Sequence, residues 1–357
     1  MTPADLAIRP AAWLSSPGKH DGIVLATRVR LARNVAGRPF FRTLAKSAQQ
    51  DLVDELLAAV AQASGCTAAS GWRLGRLPEV ERQLLVERHL ISREHASAKR
   101  PAGLHLEADE LLAVMINEED HLRIQAIRSG FDLPAALDAA VAFDRRIEAV
   151  VPYAIDPRLG YITTCHTNLG TGMRASVMMH LPALAETDGL KPILRALATL
   201  HLTVRGRHGE GSEALGHHYQ ISNLRSLGMD EDTLVGEVEQ AVERIIVAER
   251  LARERLLTHA RPRLEDRIHR AWGLLTHARI LASDELCDQL GWLRLGLALH
   301  VLPDEAAHLD WVTLDRLASL GQPAHLQLGG QGACLDEVSV RDAFRARLVR
   351  TGLCAPG

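Results

Sequence analysis

Apolar and polar positions change period several times along the chain, and each change marks an element. Thr27-Arg28-Val29-Arg30-Leu31 alternates as a half-buried strand does, with Thr27, Val29 and Leu31 on one face and Arg28 and Arg30 on the other. A helix with Leu52, Leu56 and Val60 as its apolar stripe opens at Ser47, where Gln50 three residues on makes a capping-box pattern, and Gly65 closes it. A second helix covers about 77–90, and 97–103 is a polar loop. Leu111 to Ile116 is an apolar strand and His121 to Ala126 alternates again, so Asn117-Glu118-Glu119-Asp120 forms a hairpin tip of three adjacent acids. Pro134 starts a helix that runs to Val150. The stretch Gly160 to Arg174 delivers Cys165 into a loop of Thr, Asn and Gly, and a helix is expected from Arg174 to Leu184. Strands over 199–204 and 217–222 complete an α+β pattern whose hairpin-linked strands imply a mainly antiparallel sheet flanked by helices.

The character changes at Gly228. Leu234, Val238, Ala241, Ile245, Ala248 and Ala252 repeat at spacings of four and three, the stripe of a long amphipathic helix, and Asp230, Glu231 and Asp232 suit its N-terminal dipole. Four further helices are expected at about 264–281, 284–300, 314–320 and 339–350, with Gly321 and Pro323 ending the third. This places a boundary near 260, giving a domain over 1–260 and an all-helical domain over 261–357.

Composition changes this picture little. The 357 residues are 47% hydrophobic and 24% charged, with a net charge of −3. No run of about 18 apolar residues appears, and Met1 to Pro10 has neither the basic start nor the apolar core of a secretory signal, so a cytoplasmic protein without a membrane span is expected. Direct nucleic-acid binding is not expected. The five cysteines, Cys66, Cys165, Cys287, Cys334 and Cys354, form no CxxC pair, which argues against a zinc knuckle or a disulfide framework; no metal site is expected. Only four of the 41 basic residues are lysines. Arginine is the residue for planar, multidentate contact with phosphate, and two guanidiniums roughly 7 Å apart at their α-carbons on one strand face suit an anion with several oxygens.

Ala26-Thr27-Arg28-Val29-Arg30, Asn117-Glu118-Glu119-Asp120-His121-Leu122-Arg123 and Thr164-Cys165-His166-Thr167-Asn168-Leu169-Gly170-Thr171-Gly172-Met173-Arg174 resemble, in this order, conserved blocks of the phosphagen (guanidino) kinases. Arg174-Ala175-Ser176-Val177-Met178, Arg205-Gly206-Arg207-His208-Gly209-Glu210-Gly211, Gln220-Ile221-Ser222-Asn223 and Arg341-Asp342-Ala343-Phe344-Arg345-Ala346 resemble the bacterial protein-arginine kinase branch. The resemblance covers nearly the whole chain from about residue 20 and implies a guanidino-kinase-like catalytic domain. It implies that ATP phosphates meet Arg28, Arg30, Arg123, Arg174 and Arg205, within a nucleotide site that also takes in Thr27, Val29, His89, Ala175, Ser176, Val177, Met178, Gly206, Arg207, His208 and Gly209. Mg²⁺ would be held mainly by phosphate oxygens and water. Walker and protein-kinase motifs are absent.

A guanidinium is a poor nucleophile because it stays protonated, so phosphorylating it needs carboxylates that align the nitrogen and accept its proton. The resemblance gives those roles to Glu119 and Glu210, with the Cys165 thiolate as an auxiliary acceptor. Two departures stand out: His166 occupies a position usually proline, and Arg207-His208 replaces an aliphatic-Tyr pair. Arg341, Asp342, Arg345 and Ala346 are implied to bind phosphoarginine allosterically, the two arginines sharing a helix face. The expected activity is phosphorylation of protein arginines, marking proteins for a Clp-type AAA+ unfoldase in stress, with a zinc-finger activator and homodimerisation implied by likeness. Two rivals remain at this level: a kinase for free arginine or another small guanidino compound, and a silent phosphoarginine-binding adaptor. Against the first, the block beginning at residue 26 leaves no room ahead of it for the helical N-terminal domain of the small-substrate enzymes.

Overall fold

A computed structural model describes residues 2–14, 18–20, 22–66, 68–206, 215–330 and 335–354. In chain order the elements are β1 (Val24–Arg33), α1 (Lys46–Ser64), β2 (Ser70–Arg73), α2 (Glu79–Glu87), the single turn α3 (Arg93–Ala96), β3 (Gly103–Leu106), β4 (Leu112–Ile116), β5 (Leu122–Ser129) and α4 (Leu133–Glu148). There follow β6 (Ile155–Asp156), β7 (Gly160–Tyr161), β8 (Met173–His180), α5 (Pro182–Glu186), α6 (Leu190–Thr199), β9 (Leu202–Gly206) and β10 (His218–Asn223). The remainder is helical: α7 (Glu231–His259), α8 (Arg261–His277), α9 (Ser283–Leu299), α10 (Trp311–Leu320), α11 (Pro323–Gly329) and α12 (Val338–Cys354). No helix among the described residues is long and apolar enough to cross a membrane.

Eight strands form one sheet in the order β2-β3-β4-β5-β1-β8-β10-β9, every neighbouring pair antiparallel. Period-two alternation gives the sheet two unlike faces. Val29 and Leu31 of β1, Ile124 and Ala126 of β5 and Ala175 and Val177 of β8 are fully buried, and they join one core with Leu52 and Leu56 of α1, Phe143 of α4 and Val238 of α7. Burying side chains of this size contributes about 1.5–3 kcal/mol each, and this core fixes the strand register. A second core, built from α8, α9, α10 and α12, holds Ile268, Leu293, Leu317 and Val349. A third cluster joins Leu6 and Ala7 to Leu84 and Leu85 of α2 and Ala324 of α11, so the last helices rest against the sheet domain.

Three local expectations fail for physical reasons. The run after Arg174 is not a helix. It is the strand β8, paired on both sides, and the helix that follows starts only at Pro182. Its Ala and Met residues have good helix propensity, but the ladders of β1 and β10 override it. Ser47 does not cap α1. The cap position is Ala45, which makes no side-chain cap bond, while Gln49 instead donates to the carbonyls of Phe41 and Leu44 at 2.9 Å each. Pro323 does not merely end a helix; it occupies the first turn of α11, an element the pattern did not reveal.

Gly172, at the entry to β8, has a φ of +66°, and a Cβ there would stand 2.6 Å from both the Ala32 carbonyl and Arg33 Nη1. That Nη1 already donates to Ala32 and Thr171 at 2.9 Å, while the same guanidinium pairs with Asp144 at 2.7 Å and lies 3.5 Å over the Tyr161 ring. Gly172→Ala should therefore cost about 2 kcal/mol or more, from left-handed strain plus the clash, and lower the urea midpoint. An unchanged midpoint would show that this entry relaxes freely.

Candidate functional site

Register sets the site. Arg28 stands opposite Ile127 and Ser176, Arg30 opposite Gln125 and Arg174, and Arg123 opposite Ala32 and Met115. Gln220 stands opposite both Met178 and Arg205. Residues paired across antiparallel strands project to the same side, so Arg123, Arg28, Arg30, Arg174 and Arg205, from four strands of the contiguous run β5-β1-β8-β10-β9, share the sheet face turned away from the main core. Arg28 Nη2 donates to Gln220 Oε1 at 2.9 Å, and Arg174 donates to Ser222 Oγ at 3.3 Å from Nε and 3.2 Å from Nη2. These neutral partners orient guanidiniums without cancelling their charge. Burial, then Arg123 and Arg174, push the Arg28 guanidinium down to about 10. Burial followed by Arg28, Arg123 and Arg174 lowers Arg30 as well, against the pull of Glu118. Crowded like charges of this kind are relieved by a polyanion.

The acid turn between β4 and β5 closes one end of the face, and its carboxylates are not the solvated decoration that three adjacent acids suggest. Asn117 turns the chain with a φ of +58° and donates its N–H to the His121 carbonyl at 3.0 Å. Glu118 is buried, pairs with Arg123 and accepts the Ser92 hydroxyl at 2.7 Å. Burial pushes the Glu118 carboxyl up, but Arg123, Ser92, His95 and Arg30 together hold it below the ordinary carboxylate range. Asp120 accepts Asn34 Nδ2 at 2.7 Å and the Thr164 N–H at 2.6 Å, tying the turn to the cysteine-bearing loop. Glu119 is the most accessible of the three, with its side chain 32% exposed; it lies 3.6 Å from Arg123 Nη2 and accepts Asn168 Nδ2 at 3.3 Å. Cys165 precedes the 3₁₀ turn His166–Asn168 that carries this asparagine, and its Sγ lies 3.0 Å from Thr167 Oγ1. The fold thus brings Glu119, Cys165 and the arginine face together. His166 is exposed at the start of that turn.

The other predicted positions divide. Ser176 and Met178 share the arginine face, whereas Thr27, Val29, Ala175 and Val177 point to the helices and cannot touch a ligand there with their side chains; Thr27 Oγ1 donates to the Gly130 carbonyl at 2.6 Å. His89 is buried with a φ of +59°, its carbonyl accepting Gln125 Nε2 at 2.8 Å and its ring set edge-on to Trp13 at 5.7 Å. Gly206 ends β9 opposite Tyr219. Glu210, Arg207, His208 and Gly209 lie outside the described residues. In α12 the expected pair of presented arginines is corrected: Arg345 is buried, donating to the carbonyls of Gly321 at 2.6 Å and Leu281 at 2.7 Å and pairing with Asp342, and Ala346 belongs to the helical core. Arg341 is half-buried and donates to the carbonyls of Leu335 and Asp336 at 2.9 and 3.2 Å. Glu118, Ser92, Gln125, Asn168, Gln220 and Ser222 were missed as site residues; the alternation over His121 to Ala126 puts Gln125 on the face of Arg123, but nothing local marks Ser92 as a partner of the acid turn.

Residues 51–252 match the ATP:guanido phosphotransferase C-terminal catalytic domain, and residues 261–356 match the protein-arginine kinase McsB C-terminal domain. A protein-arginine kinase of Halalkalibacterium halodurans is 42% identical over 353 residues, covering 97% of this chain and 96% of that protein. One of Halothermothrix orenii is 39% identical over 342 residues, covering 96% of each. The duplicated taurocyamine kinase of Schistosoma mansoni, solved with transition-state-analogue components bound, aligns with a TM-score of 0.58 at 30% identity, over 71% of this chain and 37% of that one. Lombricine kinase shares the fold, with a TM-score of 0.56 at 24% identity over 68% of this chain and 71% of that one. With both halves matched and near-full-length relatives at about 40% identity, the chain belongs to the ATP:guanido phosphotransferase family, in its protein-arginine kinase branch.

Proposed function

We propose that this protein transfers the γ-phosphoryl group of ATP to arginine side chains of proteins. The observation that carries the reading is the alignment of Arg28, Arg30, Arg123, Arg174 and Arg205 on one sheet face that ends at Glu119 and the Cys165 loop. The arginine face takes the triphosphate, with Mg²⁺ arriving on the nucleotide and held chiefly by phosphate oxygens and water. Glu119, joined by Glu210, clamps the incoming guanidinium and accepts a proton as the N–P bond forms and the bond from the γ-phosphorus to the β-phosphate oxygen breaks, releasing ADP. Cys165 as a thiolate adds a third acceptor for the same cation. The arginines neutralise charge on the transferring group, and no protein nucleophile is needed.

Further parts of the reading rest on family likeness: a catalytic domain over 1–260 and a helical domain over 261–357 that dimerises, a cytoplasmic stress-response role, a zinc-finger activator, and delivery of marked proteins to a Clp-type unfoldase. Phosphoarginine as an allosteric activator belongs here too. The contacts in α12 favour Arg341 and Asp342 at its surface, since Arg345 is committed to carbonyl oxygens and to Asp342.

Incubation with ATP and either casein or free arginine, followed by mass spectrometry under non-acidic conditions, should show phosphoarginine on the protein. Rapid turnover of free arginine with no protein labelling would sink the proposal. Glu119→Gln should lower kcat by about 10²–10⁴ while nucleotide affinity holds. Arg30→Met should leave the ligand-free protein at least as stable, because it relieves repulsion, yet raise the KM for ATP by roughly tenfold or more. Loss of stability with unchanged KM would show Arg30 to be structural.

A further inference from the structure

One short stretch, Glu87 to Ser92, touches both the helical domain and the arginine face. At its start, Glu87 accepts the N–H of Ala324 at 2.9 Å (Oε1) and 3.1 Å (Oε2) and that of His325 at 3.2 Å, all in the first turn of α11. His325 Nδ1 lies 3.0 Å from Glu87 Oε2, and its Nε2 lies 3.3 Å from Arg88 Nη1. A guanidinium only donates, so Nε2 accepts and Nδ1 carries the proton, which uses both nitrogens of a neutral ring. Burial keeps this imidazole below its ordinary range, outweighing Glu87. Arg88 is itself fixed by Glu110 at 2.5 Å and by the carbonyls of Leu6 and Arg9 at 2.9 and 2.8 Å. At the far end of the stretch, the His89 carbonyl holds the Gln125 amide, and Gln125 stands beside Arg30. Ser92 donates to Glu118, which pairs with Arg123.

Two anchors on the arginine face therefore hang from a segment whose other end is gripped by α11. We propose that Glu87 and His325 are positioning residues for nucleotide binding: the helical domain, through them, sets where Gln125 and Arg123 meet the phosphates. The proposal rests on reading the arginine face as the ATP site. His89, at a left-handed φ of +59°, closes α2 with its N–H on the Val86 carbonyl at 2.9 Å and the Leu90 N–H on the Leu85 carbonyl at 3.0 Å, so a displacement at Glu87 is passed through the bend to the Gln125 anchor. In-line transfer tolerates little misplacement, and a shift well under an ångström in Arg123 would register as weaker phosphate binding. A contact that merely stabilised the fold would alter the melting temperature and leave affinity alone.

The test uses the full-length protein. His325→Phe fills the cavity but removes both ring hydrogen bonds, and His325→Asn restores a donor near the Nδ1 position. Kd for a fluorescent Mg·ADP analogue is measured directly, with KM for ATP and for casein alongside. The expected result is an increase of roughly tenfold in nucleotide Kd and KM for His325→Phe, about 1.4 kcal/mol, with KM for casein unchanged and much of the loss recovered in His325→Asn. Glu87→Gln, which keeps an acceptor for the α11 N–H groups, should move nucleotide affinity in the same direction by less, and it decides the matter if the Phe variant does not fold. Folded variants with wild-type nucleotide affinity, or casein and ATP affected equally, overturn the proposal alone. Failure of the wild-type protein to bind Mg·ADP would overturn the site reading with it.

Discussion

Five guanidiniums on one sheet face repel one another, and much of this structure is arranged to hold them together regardless. Two unit charges about 7 Å apart oppose each other by roughly 2 kcal/mol at an effective dielectric constant near 20. The opposite face of the same strands supplies the compensation, since each arginine alternates with a residue locked into the core beneath α1, α4 and α7. A strand cannot slip by one position without burying its arginine and exposing its valine, so the core that stabilises the sheet also dictates where the charges stand. Within the face, Arg28 donates to an amide and Arg174 donates to a hydroxyl. Arg123, at the end, meets the carboxylates of Glu118 and Glu119. Arg28, in the middle of the strip and held by an amide, keeps the positive charge that a triphosphate would neutralise.

The three acids of the β4–β5 turn show how one short segment serves three purposes. Identical chemistry is separated by partners: Arg123 and Ser92 take Glu118, the Thr164 N–H and Asn34 take Asp120, and Glu119 is left with a long amide contact, a 3.6 Å approach to Arg123 and the greatest exposure. Asn34 accepts the His121 N–H at 2.9 Å while donating to Asp120, so the end of β1 braces the turn from both sides. A carboxylate that must receive a proton is useful only if its neighbours leave it room, and Glu119 alone has that room.

Much of this was legible because alternation is a local signal. Thr27 to Leu31 announced both its buried face and its charged one, and the antiparallel α+β sheet followed from the hairpins. The long helix after Asp230 was equally plain; the structure adds that Asp230 caps it, accepting the Thr233 N–H. What stayed hidden depended on distant partners. Met178 on the arginine face blurred the two-residue period of β8, so Ala and Met suggested a helix until β1 and β10 claimed the segment. Carrying whole blocks of sequence onto a site also overcounted, since half of every strand faces away. Arg345 was unreadable for a related reason: its position beside Arg341 gives no sign that Leu281 and Gly321 would enclose it.

Two non-glycine residues in left-handed backbone, His89 and Asn117, stand at the bends that deliver the segments flanking the arginine face. Each such conformation costs of order 1–2 kcal/mol, which isolated loops do not retain. Asn117 is secured from within its own turn, through the His121 carbonyl and the contacts of Arg100 with the carbonyls of Asn117 and Glu118. His89 closes α2 with local bonds too, its N–H donating to the Val86 carbonyl at 2.9 Å and the Leu90 N–H to the Leu85 carbonyl at 3.0 Å, while its neighbours are fastened to the N-terminal carbonyls, to Glu110 and to α11. Strain next to a charged face is thereby sustained by local backbone bonds and by elements remote in sequence together. On that account the helical domain is part of what shapes the site, since α11 grips the start of the segment that carries the anchors of Gln125 and Glu118.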